Sequence, residues 1–484
     1  MKINSIKRII RVLVLLAVLV GCAAQMHTSR MNSVKEAIVK KGTLDIGFLE
    51  KTIYNRSGDI DGSADLIDLL ELGAMYPLVK DYQNSNKILE SAYVKYTKRE
   101  ERAKLNARNT TTDFLDILIG EGSGEYEMAS YEKIYIHNIK AMNFLMMGNP
   151  GAARVEVQRS INCNRRIREY AQFKAAQIAK EKTSVKQKAK KEKIRNLDMD
   201  AEVGKLTKKA GLDGEQQQAI RTIRNSYENG YTYLLSALVF ALNQEWENAR
   251  PQLKNADALT DNRYLKRLYR DFKNNPASLT SKTNVYIFSQ VGFAPYKENF
   301  QVPFYNPVSK TLTHFSLAKI QTARTGVSTI NIVDGSSNVN DRMEALADLD
   351  LLALKQYDED LVANITKATL RVVSQTIKDK AILDETTKKG KNTALFQIEQ
   401  ILLSGVNQVL YKTDIRAWNL APKRVLFYCG TFGTSPITLT VRGATGQTAE
   451  RKVDIDPERL NIVSVRCLGQ KMFVNHQTFD RGQR

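Results

Sequence analysis

The chain has 484 residues, enough for about three domains of ordinary size. Hydrophobic residues make up 43% and charged residues 26%, which excludes a largely disordered chain, a collagen-like fibre and a multi-span membrane protein. The 72 Lys and Arg against 52 Asp and Glu give a formal charge of +20, favouring an anionic partner, while four Cys and four His are too few for a disulfide framework or a histidine-rich metal protein.

The first 22 residues read as an address. Lys2, Lys7, Arg8 and Arg11 form a basic start, followed by a short apolar run from Val12 to Val20. A bilayer span needs about 20 apolar residues, so this run predicts a cleaved signal peptide over residues 1–21. Leu19-Val20-Gly21-Cys22 resembles the processing signal of bacterial lipoproteins. That resemblance implies acylation (palmitate or similar) of Cys22, on its sulfur and on the new amine, with each buried methylene adding about 0.8 kcal/mol of anchoring. The plainer alternative is ordinary secretion with Cys22 a bystander. Ala23 and Ala24 follow, with no aspartate at the second position, which in lipoprotein sorting implies the outer membrane facing the periplasm. Removing residues 1–21 takes away four positive charges and leaves about +16. No later segment approaches 18 uncharged apolar residues, so residues 22–50 are expected to be a lipidated tether to a soluble body.

Residues 51–280 predict helical repeats. Leu69, Leu72, Gly73, Tyr76, Tyr82, Ser85, Leu89 and Ala92 recur at the offsets of a tetratricopeptide repeat, with Gly73 and Ser85 where the two helices of a hairpin would approach. Ala141, Phe144, Ala153, Val157 and Ser160 hold matching offsets around a turn at Gly148-Asn149-Pro150. Tyr233, Ala237, Phe240, Trp246, Ala249, Leu253 and Ala256 hold them around a turn at Asn243 to Glu245. A generic α-bundle would give degenerate matches of the same kind. Register is lost between the second and third segments, where about 171–213 is Lys-rich and reads as a solvated helix or flexible arm. Its functional reading is contact with peptidoglycan or anionic lipid, and its plain reading is a solvated insertion.

The repeat positions that line a concave face select Tyr135, Asn138 and Met142, then Tyr231, Leu234 and Leu238. These are mainly apolar and form a possible partner groove. An exposed apolar groove is a liability, so another helix of this chain or an amphipathic partner is expected to cover it.

After about residue 280 the pattern changes. VYIFSQVG (285–292), ENFQVPFY (298–305), TLTHFSLAKI (311–320) and VSTINIV (327–333) are β-branched or aromatic runs between turn residues, and predict strands. Helical spacing follows over about 340–412. Strand patterns resume in RVLFYC (424–429), PITLTVRG (436–443), ERKVDI (450–455) and NIVSVRCL (461–468), with a hairpin turn at Ala444 to Gln447. The expected fold class is α+β: helical hairpin repeats, then a 281–484 domain of short antiparallel strands with inserted helices. Both strand sets should belong to one sheet system. Cys429 and Cys467 could pair in an oxidising compartment, although spacing alone cannot fix a disulfide. Cys163, in a helical stretch, is expected to be buried rather than reactive.

GEYEMASYEKIYIHNIKAMNFLMMGNPGAARVEVQRS (124–160), VGFAPYKENFQVP (291–303) and TDIRAWNLAPKRV (413–425) are similar to blocks of a bacterial lipoprotein family with tetratricopeptide-like N-terminal repeats, a β-containing C-terminal part and no assigned activity. The resemblance implies a periplasm-facing lipoprotein working near other envelope proteins. It singles out Glu132, Arg154, Glu156, Arg159, Asp414, Arg416 and Trp418, read first as an internal polar network and second as a binding site.

Motif searching finds no phosphate-binding loop, zinc-protease helix, redox Cys pair or nucleophile elbow. Gly120 to Gly124 is glycine-rich without dinucleotide-binding spacing, and the four histidines do not cluster in sequence. The expectation is therefore a lipid-anchored scaffold or adaptor with an envelope protein partner, and without catalysis, cofactor, metal or nucleic acid. An envelope enzyme acting on peptidoglycan or lipid is the alternative, as is a linker from outer membrane to cell wall.

Overall fold

The computed structural model describes residues 27–41, 45–54, 64–109, 126–191, 198–306, 311–322, 326–334, 339–388 and 414–481. The expected signal peptide, Cys22 and the glycine-rich residues 120–124 lie outside them, as does the 389–412 part of the expected helical interval. The described chain is α+β.

The N-terminal part is built from helical hairpins. Helix α1 spans 27–36 and runs into a π turn at Ala37–Lys41; α2 is Ile46–Tyr54. The expected tether is thus corrected from residue 27 onward: Met31, Val34 and Ile38 recur at helical spacing and are buried, as are Leu49 and Ile53. Three antiparallel pairs follow: α3 (Leu66–Met75) with α4 (Tyr82–Asn109), α5 (Ser130–Met146) with α6 (Pro150–Lys191), and, further on, α9 (Gly230–Leu242) with α10 (Trp246–Leu259). Neighbouring pairs stack through α4 on α5 and α6 on α9.

The three hairpins share one turn. In each, a residue with positive φ ends the first arm, which in the first hairpin runs on past α3 as a 3₁₀ helix (Tyr76–Val79): Lys80 (63°), Gly148 (71°) and Gln244 (60°). The next N–H donates back to an aromatic residue's carbonyl, from Asp81 to Tyr76 (3.1 Å), Asn149 to Phe144 (2.9 Å) and Glu245 to Phe240 (2.9 Å). The positive-φ residues themselves donate to Pro77, Leu145 and Ala241. This is the Schellman arrangement three times over. Close crossing is visible in the first hairpin, where a Cβ on Gly73 would overlap the Leu89 side chain and Ser85 Oγ donates to the Gly73 carbonyl at 2.6 Å.

Over its described residues the Lys-rich stretch is helical, the first of its two expected forms, and it is packed along one side. α6 continues unbroken to Lys191, because Ile167, Tyr170, Ile178, Val185 and Ala189 keep one buried stripe along it. Helix α7 (Met199–Ala210) returns with Met199, Val203, Leu206 and Ala210 buried, and α8 (Gly214–Ile220) follows. Both α6 and α7 pack against α13 (Leu349–Lys388), whose Tyr357 hydroxyl donates to the Ala210 carbonyl at 2.6 Å. Short helices α11 (Arg263–Asn274) and α12 (Ser278–Ser281) lead into the strands.

The strands are β1 (Val285–Val291), β2 (Tyr296–Asn306), β3 (Thr311–Gln321), β4 (Val327–Asp334), β5 (Val339–Arg342), β6 (Glu344–Asp348), β7 (Arg424–Gly430), β8 (Ile437–Gly443), β9 (Thr448–Val453), β10 (Leu460–Leu468) and β11 (Lys471–Phe479). A five-stranded sheet has the order β11-β10-β1-β7-β6, a four-stranded sheet the order β5-β4-β8-β9, and β2 pairs with β3. Strands from both sides of α13 therefore share each of the larger sheets. The expectation of antiparallel strands holds with one exception, since β1 and β10 run parallel, Val285 opposite Asn461.

The possible Cys429–Cys467 disulfide is not formed, and both residues are free and buried. Cys429 lies opposite Tyr286 and Cys467 opposite Val291, on different neighbours of β1. Five residues of strand separate those levels, about 17 Å at ~3.3 Å per residue. A disulfide tolerates Cα atoms no more than about 7 Å apart. Burial pushes both thiols up to about 12. Cys163, also free, is buried beside the Tyr96 hydroxyl.

Candidate functional site

The six groove residues converge, and the chain itself fills the groove. Tyr135, Asn138, Met142, Tyr231, Leu234 and Leu238 are all buried. Phe288 of β1 packs on Tyr231 with ring centroids 5.6 Å apart, and the Tyr135 hydroxyl donates to Gln290 Oε1 at 2.8 Å. Trp418 meets the Tyr135 ring edge-on at 5.7 Å. Asn138, the polar exception, donates from Nδ2 to Thr232 Oγ1 at 2.8 Å. The partner groove is thus corrected: its occupant is a strand and the 414–421 loop of the same chain. Periodicity identified an apolar face in need of cover, but not which distant segment covers it.

The seven charged or aromatic residues of the expected polar network separate into three places. Glu132, Asp414, Arg416 and Trp418 gather around Tyr126. Glu132 sits at the third position of α5, where its carboxylate accepts from the Ala129 N–H at 2.8 Å, the Tyr126 hydroxyl at 2.7 Å and the Trp418 N–H at 3.3 Å. Burial raises its pKa, against the pull of Lys297 and these donors. Asp414 takes two parallel bonds from Arg416, at 2.9 and 2.8 Å, and the guanidinium lies 5.8 Å from the centre of the Tyr126 ring. Burial works against ionisation of Asp414, but Arg416 outweighs it and lowers the pKa.

Glu156 and Arg159 belong to a second cluster. The buried Glu156 carboxylate meets His137 Nδ1 at 2.8 Å, Lys140 Nζ at 2.9 Å and Arg159 at 3.1 Å, and Glu90 closes the set by pairing with both Lys140 and Arg159. Arg154 stands apart, paired with Glu245 across the second and third hairpins.

Beside the Tyr126 cluster lies a cavity of about 290 Å³, bounded by the start of α5, by α6, by the β2–β3 hairpin and by α13. Its charged lining includes Lys133, Lys174, Lys297, Lys367 and Arg371 against Glu127, Asp360 and Asp414. The cations are engaged locally. Lys174 pairs with Glu127 at 2.7 Å and, helped by Lys367 against the effect of burial, holds that carboxyl well below its ordinary range. Lys133 pairs with Glu100 at 2.7 Å. Lys133 and Lys174 each lie 5.3 Å from the Tyr170 ring centre, a cation–π pairing of both ammoniums with one ring. Positive lining with tyrosine faces suits an anionic group attached to a flat or apolar body.

Two features escaped sequence reasoning. His27, assigned to the tether, is buried between Asp68 (3.8 Å) and Glu71 (3.5 Å). The i, i+3 placement of those two acids on an otherwise apolar α3 was a signal that they needed a partner. Arg466 sits inside the central sheet, where the alternation of β10 left its direction open. Among the described residues no group of three or more His, Cys, Asp or Glu could hold a metal, and no helix is long and apolar enough to cross a membrane. No protein-family model matches this chain, and neither does any curated protein or solved structure.

Proposed function

We propose that this protein is a lipid-anchored scaffold of the bacterial cell envelope, with tetratricopeptide-like hairpins, held at the outer membrane through Cys22 and docking an envelope protein without catalysis of its own. The observation that carries the reading is the threefold repetition of one hairpin turn, with aromatic Tyr76, Phe144 and Phe240 at the same place in each. A repeated hairpin is a device for presenting surface rather than for doing chemistry. With the concave face filled, the partner would meet the outer surface, and exposed Lys180, Lys186, Lys190 and Lys191 on α6 offer a site for an anionic one. The non-catalytic part is supported by Glu156 and Asp414, two carboxylates that an envelope hydrolase would need free, since both are committed to cationic neighbours.

The anchor half is supported by spacing. His27 is already buried, five residues after Cys22, so an acylated Cys22 would hold the folded body within about 18 Å of the bilayer surface. The test is in-cell crosslinking of the tagged protein, with Cys22→Ser as control, followed by identification of captured proteins. A discrete envelope partner that disappears with the anchor is the expected result. Membrane fractionation unchanged by Cys22→Ser would sink the anchor, and capture of cell-wall material alone would sink the adaptor.

A further inference from the structure

Arg466 is a buried cation without a buried anion to match it. It lies on β10 opposite Gln290 of β1 and Phe473 of β11, with 7% of its surface exposed. Its guanidinium donates to three carbonyl oxygens: Gln290 at 3.1 Å, Leu420 at 3.1 Å and Ala421 at 3.5 Å. A guanidinium carries five N–H donors, and the partners it meets here are neutral carbonyl oxygens. No carboxylate among the described residues pairs with it. Glu71 holds the N–H groups of Asn419 and Leu420 in the same loop, and its charge is already engaged with His27.

The same guanidinium lines a small cavity of about 30 Å³ between the five-stranded sheet and the first two hairpins. Tyr135 and Met142 close it from α5, and Ser464 and Asn475 from the sheet. Asn475 Nδ2 gives one hydrogen to the Pro77 carbonyl at 3.1 Å and has a second to offer, and Ser464 brings a hydroxyl. Asn143 and Gln290 add amides, and Arg466 is the one charged residue of a lining that holds no carboxylate. Burying an unmatched charge is unfavourable by several kcal/mol unless something neutralises it. One or two water molecules would fill the volume but supply no charge.

We propose that this cavity binds a halide-sized monovalent anion, chloride in practice, on the Arg466 guanidinium with help from Asn475 and Ser464. The small volume favours a monatomic ion, and no carboxylate in the lining competes with it. Bound there, the ion would tie the sheet to the first two hairpins. The inference stands independently of the scaffold reading. Burial lowers the Arg466 pKa to about 10, as expected for a guanidinium without a counter-charge.

Thermal unfolding of the full mature chain, at fixed ionic strength with sodium gluconate exchanged for sodium chloride, tests it. The melting temperature should climb by about 2 °C for each tenfold rise in chloride above the dissociation constant. Arg466→Gln should abolish the dependence. Arg466→Lys, which keeps the charge and is the safer variant to fold, should shift it to at least about tenfold higher chloride. Crystals grown in bromide should show an anomalous peak about 3.3 Å from the guanidinium nitrogens. Equal melting in the two salts, or bromide maps with no peak at Arg466, would overturn the proposal.

Discussion

Two buried clusters should titrate in opposite directions. Burial alone would lower the pKa of His27, but Asp68 and Glu71 on either side outweigh it and raise it to about 9. At 3.5 and 3.8 Å these contacts are ion pairs rather than hydrogen bonds. A raised folded pKa means that the stabilisation is fully present below the unfolded value near 6.5 and is lost as pH rises through about 9. Denaturant unfolding at pH 6 and pH 9.5 should show this loss in the native chain and little of it in His27→Gln; equal pH slopes would refute it. Glu156 runs the other way. Burial opposes its ionisation, yet His137 and Lys140 bring it down to about 2. Its contribution is therefore present above about 4.5 and disappears as pH falls through about 2. Glu156→Gln leaves the buried Lys140 with Glu90 as its remaining carboxylate, and should destabilise the fold by about 1–3 kcal/mol at neutral pH and by much less at pH 2.5.

At the scale of the element, the shared hairpin turn makes a quantitative claim. A non-glycine residue with left-handed backbone carries a penalty of about 1 kcal/mol that glycine avoids. Lys80→Gly and Gln244→Gly should therefore each stabilise by up to about 1 kcal/mol, and Gly148→Ala should destabilise by a similar amount. The three changes, compared by urea unfolding, should take these opposite signs if the turns are equivalent. The closest crossing is less forgiving: Gly73→Ala should cost about 1–3 kcal/mol, part of it recovered in combination with Leu89→Ala. These turns and crossings were legible because Gly73, Ser85 and Gly148-Asn149-Pro150 act locally, within one hairpin. The strands with hydrophobic alternation were equally legible. β5 and β6 were not: the interval expected to be helical from about 340 opens with these two short strands, and the helix begins at Leu349. Nor was β11, because KMFVNHQTF at the sheet edge carries its polar residues on strand without a clean period of two. The Lys-rich stretch was legible as helix, but its packed side was not. Its stripe of Ile178, Val185 and Ala189 is present, but lysines outnumber it, and the partner helix lies some 170 residues further on. The site clusters were half visible: Glu132 and Trp418 were expected in one polar network, whereas the partners of His27 and the setting of Arg466 exist only in the folded chain.

Across the whole molecule, one hydrophobic cluster runs from Met31 and Leu69 through Tyr231 and Phe288 to Leu439 and Val463. The helical and strand parts were expected as neighbouring units at a boundary near residue 280, yet β1 inserts Phe288 and Gln290 directly into the hairpins. Such an apolar interface differs from the polar junctions that let domains fold alone. The full chain should therefore unfold in one transition, with the fluorescence of Trp246 in a hairpin and of Trp418 in the junction changing together. Phe288→Ala, which empties the contact with both Tyr231 and Phe427, should lower stability by about 3–5 kcal/mol and move both signals equally. A fragment of residues 27–281 should lose its cover over Tyr231, Leu234 and Leu238, bind a hydrophobic dye and self-associate. If that fragment instead proved monomeric, dye-free and as heat-resistant as the whole chain, the hairpins would form an independent domain. The sheet would then be an accessory that could lift away, and the groove would return as a surface for a partner.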